Sequence, residues 1–327
     1  HPSRGRRAGR VNGDVIDILE TPSTYALVRS SLDTSRTLVD VIADTASSLS
    51  VRYDDIYTGS SQWTLLPAFD HPDEPNRLIV SGTGLTHKAS AANRQAMHEA
   101  QSGDKSSLTD SMHMYQWGLE GGTPPEGEIG ASPEWFYKGL GTIVRGHGDP
   151  LDVPSYADDG GEEPEIAGCY VIDGEGSPRR IGFVQGNEFA DHVMEKRNYL
   201  YLAPSKLRDC AIGPELIIDA DFYKITGRVS IERNGETIWS KEIASGNENT
   251  CHSLANMEHH HFKYTSHRRP GDLHLHFFGA DAFSFGEGVS LENGDIMVVA
   301  WEGMGRALRN PLRISQETDR FVEITSL

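Results

Sequence analysis

The run Asp158-Asp159-Gly160-Gly161-Glu162-Glu163-Pro164-Glu165-Ile166-Ala167-Gly168 sets five acids directly ahead of an apolar strand. Pro164 holds its φ in the extended range, and residues two apart on an extended chain project to the same side, so Glu163 and Glu165 point their carboxylates together. Two parallel carboxylates repel and need a shared proton or a cation. Hard oxygen donors with room for water suit Mg²⁺ or Mn²⁺ better than zinc. The plainer alternative is a solvated acidic turn.

Two later stretches bear on the choice. In Gly182-Phe183-Val184-Gln185-Gly186-Asn187-Glu188-Phe189-Ala190-Asp191-His192 a strand delivers Glu188 just past a glycine, where it could complete a three-carboxylate site. In Ser205-Lys206-Leu207-Arg208-Asp209-Cys210-Ala211-Ile212-Gly213-Pro214 a lysine precedes a Gly-Pro turn. Near clustered carboxylates such a lysine can carry a substrate acid group or act as a base, while Cys210 reads as a small buried hydrophobe.

Working outward, the middle of the chain is strand-rich. Gly168 to Ile172, Arg180 to Phe183, Glu215 to Ile218, Gly227 to Arg233, Asp272 to Phe278 and Asp295 to Ala300 are β-branched or alternating, with Gly, Pro, Asn or Asp at their ends. Arg77 to Ser81 reads as a buried strand, and Ala91 to Gln101 and Ser253 to Phe262 as helices. Upstream, Asn12-Gly13 marks a hairpin within Ala8 to Leu19, and Thr34 to Ser48 has a helical apolar face. The polar, proline-bearing Phe69 to Pro75 marks the boundary between a small N-terminal domain, 1–72, and a catalytic-sized domain, 73–327. Gly121 to Ser132 is a long Gly/Pro/Glu loop, either a lid or a solvated excursion. The fold class is mixed α/β and β-rich.

The 327 residues carry Lys+Arg 30 against Asp+Glu 48, a formal charge of −18. That disfavours a phosphate-backbone binder, so no nucleic-acid partner is expected. No apolar run approaches the roughly 18 residues of a membrane span, so no membrane partner is expected. Three scattered cysteines suggest a reducing, cytoplasmic setting, and no apolar signal-like core follows His1. Of the histidines, Glu258-His259-His260-His261 and the alternating His274 and His276 could suggest a zinc or iron site, but adjacent helical histidines diverge.

Taken in order, these pieces resemble the fumarylacetoacetate hydrolase (FAH) superfamily. Glu163-Pro164-Glu165 resembles its Glu-x-Glu, Asn187-Glu188 its Asn-Asp, and Lys206 with Cys210-Ala211-Ile212-Gly213-Pro214 its lysine ahead of Cys-Pro-Leu-Gly-Pro. Pro133-Glu134-Trp135-Phe136-Tyr137-Lys138 resembles Pro-x-x-Phe-x-Lys, and Pro270-Gly271-Asp272 and Gly303-Met304-Gly305-Arg306-Ala307-Leu308-Arg309-Asn310 resemble its downstream motifs. The resemblance spans residues 77 to 312 and implies a FAH-type β-roll/β-sandwich catalytic domain behind a small α+β N-terminal domain, assembled as a homodimer.

Departures from the pattern bear on the reaction. Gly84-Leu85-Thr86-His87-Lys88-Ala89-Ser90 puts Ser90 where the hydrolases carry their water-activating histidine and His87 where they carry tyrosine. Gly279-Ala280-Asp281 replaces Gly-Thr-Pro, and the third acid is Glu188 rather than Asp. The wording around Asn187 and Glu134 resembles the sugar-acid branch, with its 2-keto-3-deoxy-pentonate dehydratases. The implied site holds Mg²⁺ (or Mn²⁺) on Glu163, Glu165 and Glu188, with Lys206 as base and Lys138, Ser90, Asp191 and Ala280 contacting a small-molecule 2-oxo acid. The expected activity is loss of the C4 hydroxyl through a metal-stabilised enolate. Its rivals are an acylpyruvate or 2,4-diketo-acid hydrolase, with His87 replacing the missing histidine, and a non-catalytic sugar-acid binder.

Overall fold

The computed structural model describes every residue except 93 and 96–107. A three-stranded antiparallel sheet comes first, in the order β1 (Gly9–Asn12), β2 (Val15–Leu19), β3 (Ala46–Arg52). Asn12 pairs with Val15, so the two-residue turn is Gly13-Asp14, one residue beyond the Asn-Gly reading, and Gly13 takes the positive φ of 57° that this turn favours. The helical pattern read over Thr34 to Ser48 is shorter than expected. Helix Leu38–Asp44 is real, but Ala46 onward is β3, and a helix at Thr24–Thr34 went unread.

Two further sheets stack face to face. One has the order β5 (Glu134–Leu140), β4 (Leu78–Gly84), β13 (Leu273–Phe277), β8 (Pro164–Ile172), β9 (Pro178–Asn187), β10 (Cys210–Ile217), β6 (Val144–Arg145). The other runs β12 (Glu236–Ser245), β11 (Ile225–Arg233), β14 (Ile296–Trp301), β15 (Leu308–Ile314), β7 (Leu151–Val153).

The alternation in β8 explains the layering. Ile166, Tyr170 and Ile172 join Val229, Ile231, Met297, Val299 and others in the core between these two sheets. Ala167, Cys169 and Val171 face the other way, into a cluster with Leu275, Phe277, Phe69 and Val28. Every residue of β8 is buried, and from Ile166 onward none is charged. Each large side chain buried this way contributes about 1.5–3 kcal/mol.

The strand readings in the middle of the chain all match strands, those at Glu215 to Ile218, Asp272 to Phe278 and Asp295 to Ala300 overrunning one end or both by one residue, and Ser253 caps a helix at Leu254–Phe262 through Asn256 N. The helix read from Ala91 starts three residues earlier, at 88, while most of Ala91 to Gln101 lies outside the described residues. The loop Gly121 to Ser132 is pinned to that later helix, where Gly130 N donates to Asn256 Oδ1 at 3.1 Å and His260 Nε2 lies 3.1 Å from Gly130 O. No helix among the described residues is long and apolar enough to cross a membrane.

Candidate metal centre

β8 and β9 are antiparallel neighbours in which Pro164 pairs with Asn187, and this register sets Glu163 and Glu165 beside Glu188. All three are buried, and one oxygen from each lies within 4.8 Å of the others. Among the described residues no other group of three or more His, Cys, Asp or Glu side chains converges this way. The backbone clamps the cluster: Glu188 N donates to Glu163 O at 2.9 Å, and Glu163 N to Asn187 Oδ1 at 3.1 Å. Glu165 Oε2 accepts from Gly279 N at 2.6 Å. Gly279 has φ 94°, and a Cβ there would strike Thr86 Oγ1, so glycine is needed for the backbone to come this close.

Two ammonium groups face three carboxylates. Lys206 Nζ lies 2.6 Å from both Glu163 Oε1 and Glu188 Oε2. Lys138 Nζ lies 2.6 Å from Glu188 Oε1 and donates to the carbonyls of Phe189 and Lys206. Burial alone would raise Glu163, but Lys206 and His192 outweigh it and hold its carboxyl well below the usual range. Glu165 has no such partner. Burial, then the charges of Glu188 and Glu163, push it well above the usual range. An all-carboxylate donor set with one member forced toward its protonated form fits a hard divalent cation, which would take that proton's place.

A cleft opens over this cluster, lined by Glu163, Glu165, Lys206, Ser90, Ala280 and, on its far wall, Arg94 and Glu195. The expected site residues divide accordingly. Ser90 and Ala280 border the cleft, with Ser90 Oγ donating to His87 O at 2.9 Å. Lys206 borders it too, 5.0 Å from the Phe136 ring centroid. Although burial opposes the charge, Glu163 and Glu188 drive its pKa upward in the metal-free protein.

Three other expected site residues lie off the cleft wall. Lys138 sits behind Glu188, its ammonium taken up by that carboxylate and two carbonyls, and does not line the cleft. Asp191 is buried structure: it caps the helix His192–Arg197 through Met194 N and holds Arg208 at 2.9 Å. His87 is buried behind Thr86, 2.8 Å from its hydroxyl, and burial pushes its pKa down to about 4. It is absent from the cleft wall.

Three groups on the wall escaped the sequence reading. His192 Nε2 lies 3.0 Å from Glu163 Oε1 and its ring stacks on Phe283 at 4.7 Å. Burial would lower its pKa, but Glu163 and Asp159 raise it to about 8. Arg94 bridges Glu134 and Glu195, each at 2.6 Å. His192 lies inside the quoted Glu188 stretch, four residues past the glutamate, and that proximity was the available signal. Arg94 and Glu195 carried none.

The histidines of the Leu254–Phe262 helix and β13 form a hydrogen-bonded chain. His261 Nε2 meets His274 Nδ1 at 2.9 Å, and His276 sits between the hydroxyls of Ser81 and Thr83, each at 2.8 Å.

No family model matches the chain, and no curated protein does. Solved structures match it along nearly its whole length. A 2-keto-3-deoxy-D-arabinonate dehydratase complexed with magnesium and 2,5-dioxopentanoate shares 17% identity at a TM-score of 0.65, covering 94% of this chain and 95% of that one. A fumarylacetoacetate hydrolase from the psychrophilic Exiguobacterium antarcticum shares 17% at 0.58, covering 96% and 97%. A 5-carboxymethyl-2-hydroxymuconate delta-isomerase from Mycobacterium smegmatis shares 17% at 0.55, covering 95% and 94%. The fold is the one these structures share, as the motif series implied.

Proposed function

We propose that the chain is a metal-dependent dehydratase of a 2-keto-3-deoxy sugar acid, a pentonate, acting in sugar-acid catabolism. Glu163, Glu165 and Glu188 would hold Mg²⁺ or Mn²⁺. A cation held there supplies chelation of the substrate's carboxylate and 2-oxo oxygens, which acidifies C3. Lys206 Nζ, fixed by Glu163 and Glu188, would take the C3 proton once a bound cation offsets those carboxylates and return it to the departing C4 hydroxyl, which leaves as water. His192 Nε2, on Glu163, is the second proton-holding atom on the wall. Ser90, Glu195 and Arg94 offer alternating donors and acceptors, which suit a hydroxylated carbon chain. A cytoplasmic homodimer belongs to the same reading.

The observation that carries it is the convergence of Glu163, Glu165 and Glu188 around Lys206, with Glu163, Glu165 and Lys206 lining one cleft. The magnesium-bound dehydratase relative agrees with it. His87 does not line the cleft, so it does not fill the place of the hydrolases' histidine. The test is incubation with 2-keto-3-deoxy-pentonates, with Mg²⁺ and with EDTA, read by mass spectrometry. Magnesium-dependent loss of one water is the expected result. Carbon-carbon cleavage of a 2,4-diketo acid would replace this reading with a hydrolase, and binding without turnover would replace it with a sugar-acid binder.

A further inference from the structure

Three basic side chains are found among the described residues lining the carboxylate cleft, and each is already matched by acids. Lys206 Nζ lies 2.6 Å from both Glu163 and Glu188, and His192 Nε2 lies 3.0 Å from Glu163. Arg94, on the far wall, is the third. Its guanidinium meets Glu134 Oε1 through Nη1 and Glu195 Oε1 through Nη2, each at 2.6 Å. The side chains of Arg94, Glu134 and Glu195 are only 15%, 11% and 10% exposed, so water screens them little. Two carboxylates on one guanidinium leave the far wall with a negative charge in excess.

The uncharged groups there point the same way. Ser90 Oγ commits its proton to His87 O at 2.9 Å, so what it has left for a ligand is lone pairs. Glu134 Oε2 is buried without a hydrogen-bond partner among the described residues. It lies against Gly84, itself on the cleft wall, and a Cβ at Gly84 would strike it. A buried acceptor left without a donor is costly. The wall is therefore short of hydrogens and oversupplied with negative oxygens.

We infer that this wall makes the cleft selective for 2-oxo acids whose far end is neutral and hydroxylated, and that Glu195, acting with Arg94, is the residue that turns away a second acidic group. The inference rests on the reading of the cleft as a 2-oxo acid site. A hydroxyl donates to Glu195 or Ser90, accepts from Arg94 and brings no charge. A terminal carboxylate or phosphate only accepts, and it meets a guanidinium already bridged by two acids where charges are poorly screened. The one positive centre left for an anion is the divalent ion that Glu163, Glu165 and Glu188 would hold, and the substrate's own carboxylate takes it. The reaction that supplies the substrate must then deliver a sugar acid whose last carbon is neither phosphorylated nor oxidised to an acid.

Two probes of equal chain length test it, 2-oxopentanoate and 2-oxoglutarate, which differ only in a methyl against a carboxylate at the far end. In calorimetric titrations of the full chain with saturating Mg²⁺, 2-oxopentanoate is expected to bind about 10-fold more tightly or better than 2-oxoglutarate. Glu195→Gln keeps the side chain's shape on the helix His192–Arg197 and releases Arg94 from one acid, so it is expected to close most of that gap by tightening 2-oxoglutarate. Glu236→Gln makes the same charge change at an exposed position on the edge strand β12 and is expected to leave the gap as it is. A Glu195 that serves only to hold its helix in place would weaken both acids alike, and that result overturns the inference, as does a parent that binds the two equally. Turnover separates this inference from the reading beneath it. If 2-keto-3-deoxy-pentonates lose water with Mg²⁺ and their counterparts carrying a carboxylate at C5 react as fast, the selectivity fails and the dehydratase stands. If neither probe binds and no pentonate reacts, both fall.

Discussion

Glu165 accepts a 2.6 Å bond from Gly279 N while facing the charges of Glu163 and Glu188, so its ionised form is both needed for a cation and costly without one. Glu165→Gln keeps an oxygen for Gly279 and removes the repulsion. Melting curves should therefore show the metal-free variant as stable as the parent or more so, with the stabilisation by added Mg²⁺ lost. An undiminished Mg²⁺ shift would remove Glu165 from the site. The same electrostatics set a pH dependence. Glu165 is raised above its ordinary value of 4.5 and His192 from 6.5 to about 8, so the folded protein holds protons that the unfolded chain releases. The stability these two groups contribute is present at lower pH and lost as pH rises through their folded values. The metal-free protein should lose melting temperature between pH 6.5 and 8, and saturating Mg²⁺ should flatten that fall. A flat metal-free profile would contradict the charge state assigned to His192.

At the level of elements, the helix Leu254–Phe262 packs His261 onto His274 and His276 of β13, all neutral because burial drives their pKa values down, His274 and His276 to about 3. His87 and His252 fall to about 4 for the same reason. A buried histidine that charges only on unfolding contributes stability that fades as pH drops below 6.5, each by up to about 1.4 kcal/mol per pH unit. Denaturant titrations should therefore show steep loss from pH 6.5 toward 4, and His274→Gln should make the slope shallower. An unchanged slope would show that this pair does not titrate on unfolding.

Alternating or continuous β-branched runs made β8, β9, β11, β13 and β14 legible, because burial on one face or both forces the pattern onto the sequence. The pairing of Glu163 with Glu165 followed from the same geometry. Glu188 was suggested only by its place past a glycine, since strand register is a long-range property. Lys138 and Asp191 lie off the cleft wall, and a charged side chain looks the same in sequence whether it meets substrate or a buried partner. The downstream motif residues Asp272 and Asn310 prove structural: Asp272 is bound by Arg77 and Arg269, and Asn310 bridges the carbonyls of Gly146 and Asp149. β3 and the helix Thr24–Thr34 lay in weakly patterned sequence, where tertiary packing decided the outcome.

Across the whole molecule, a charge of −18 repels itself, and mobile cations screen that repulsion. Melting temperature should rise from low to high NaCl, and an insensitive profile would mean that the paired arginines already neutralise the surface. The cleft imposes the opposite local requirement. An anionic 2-oxo acid must reach a carboxylate floor inside an acidic protein, which Lys206 alone does not offset. The decisive measurement is Mg²⁺ titration calorimetry on the parent and on Glu163→Gln, run beside mass-spectrometric turnover of 2-keto-3-deoxy-pentonates. The parent should bind Mg²⁺ and release one water from substrate only when it is bound, and the variant should lose turnover by on the order of 100-fold or more. Turnover in EDTA, or a variant that binds Mg²⁺ and reacts as the parent does, would contradict the three-carboxylate metal centre.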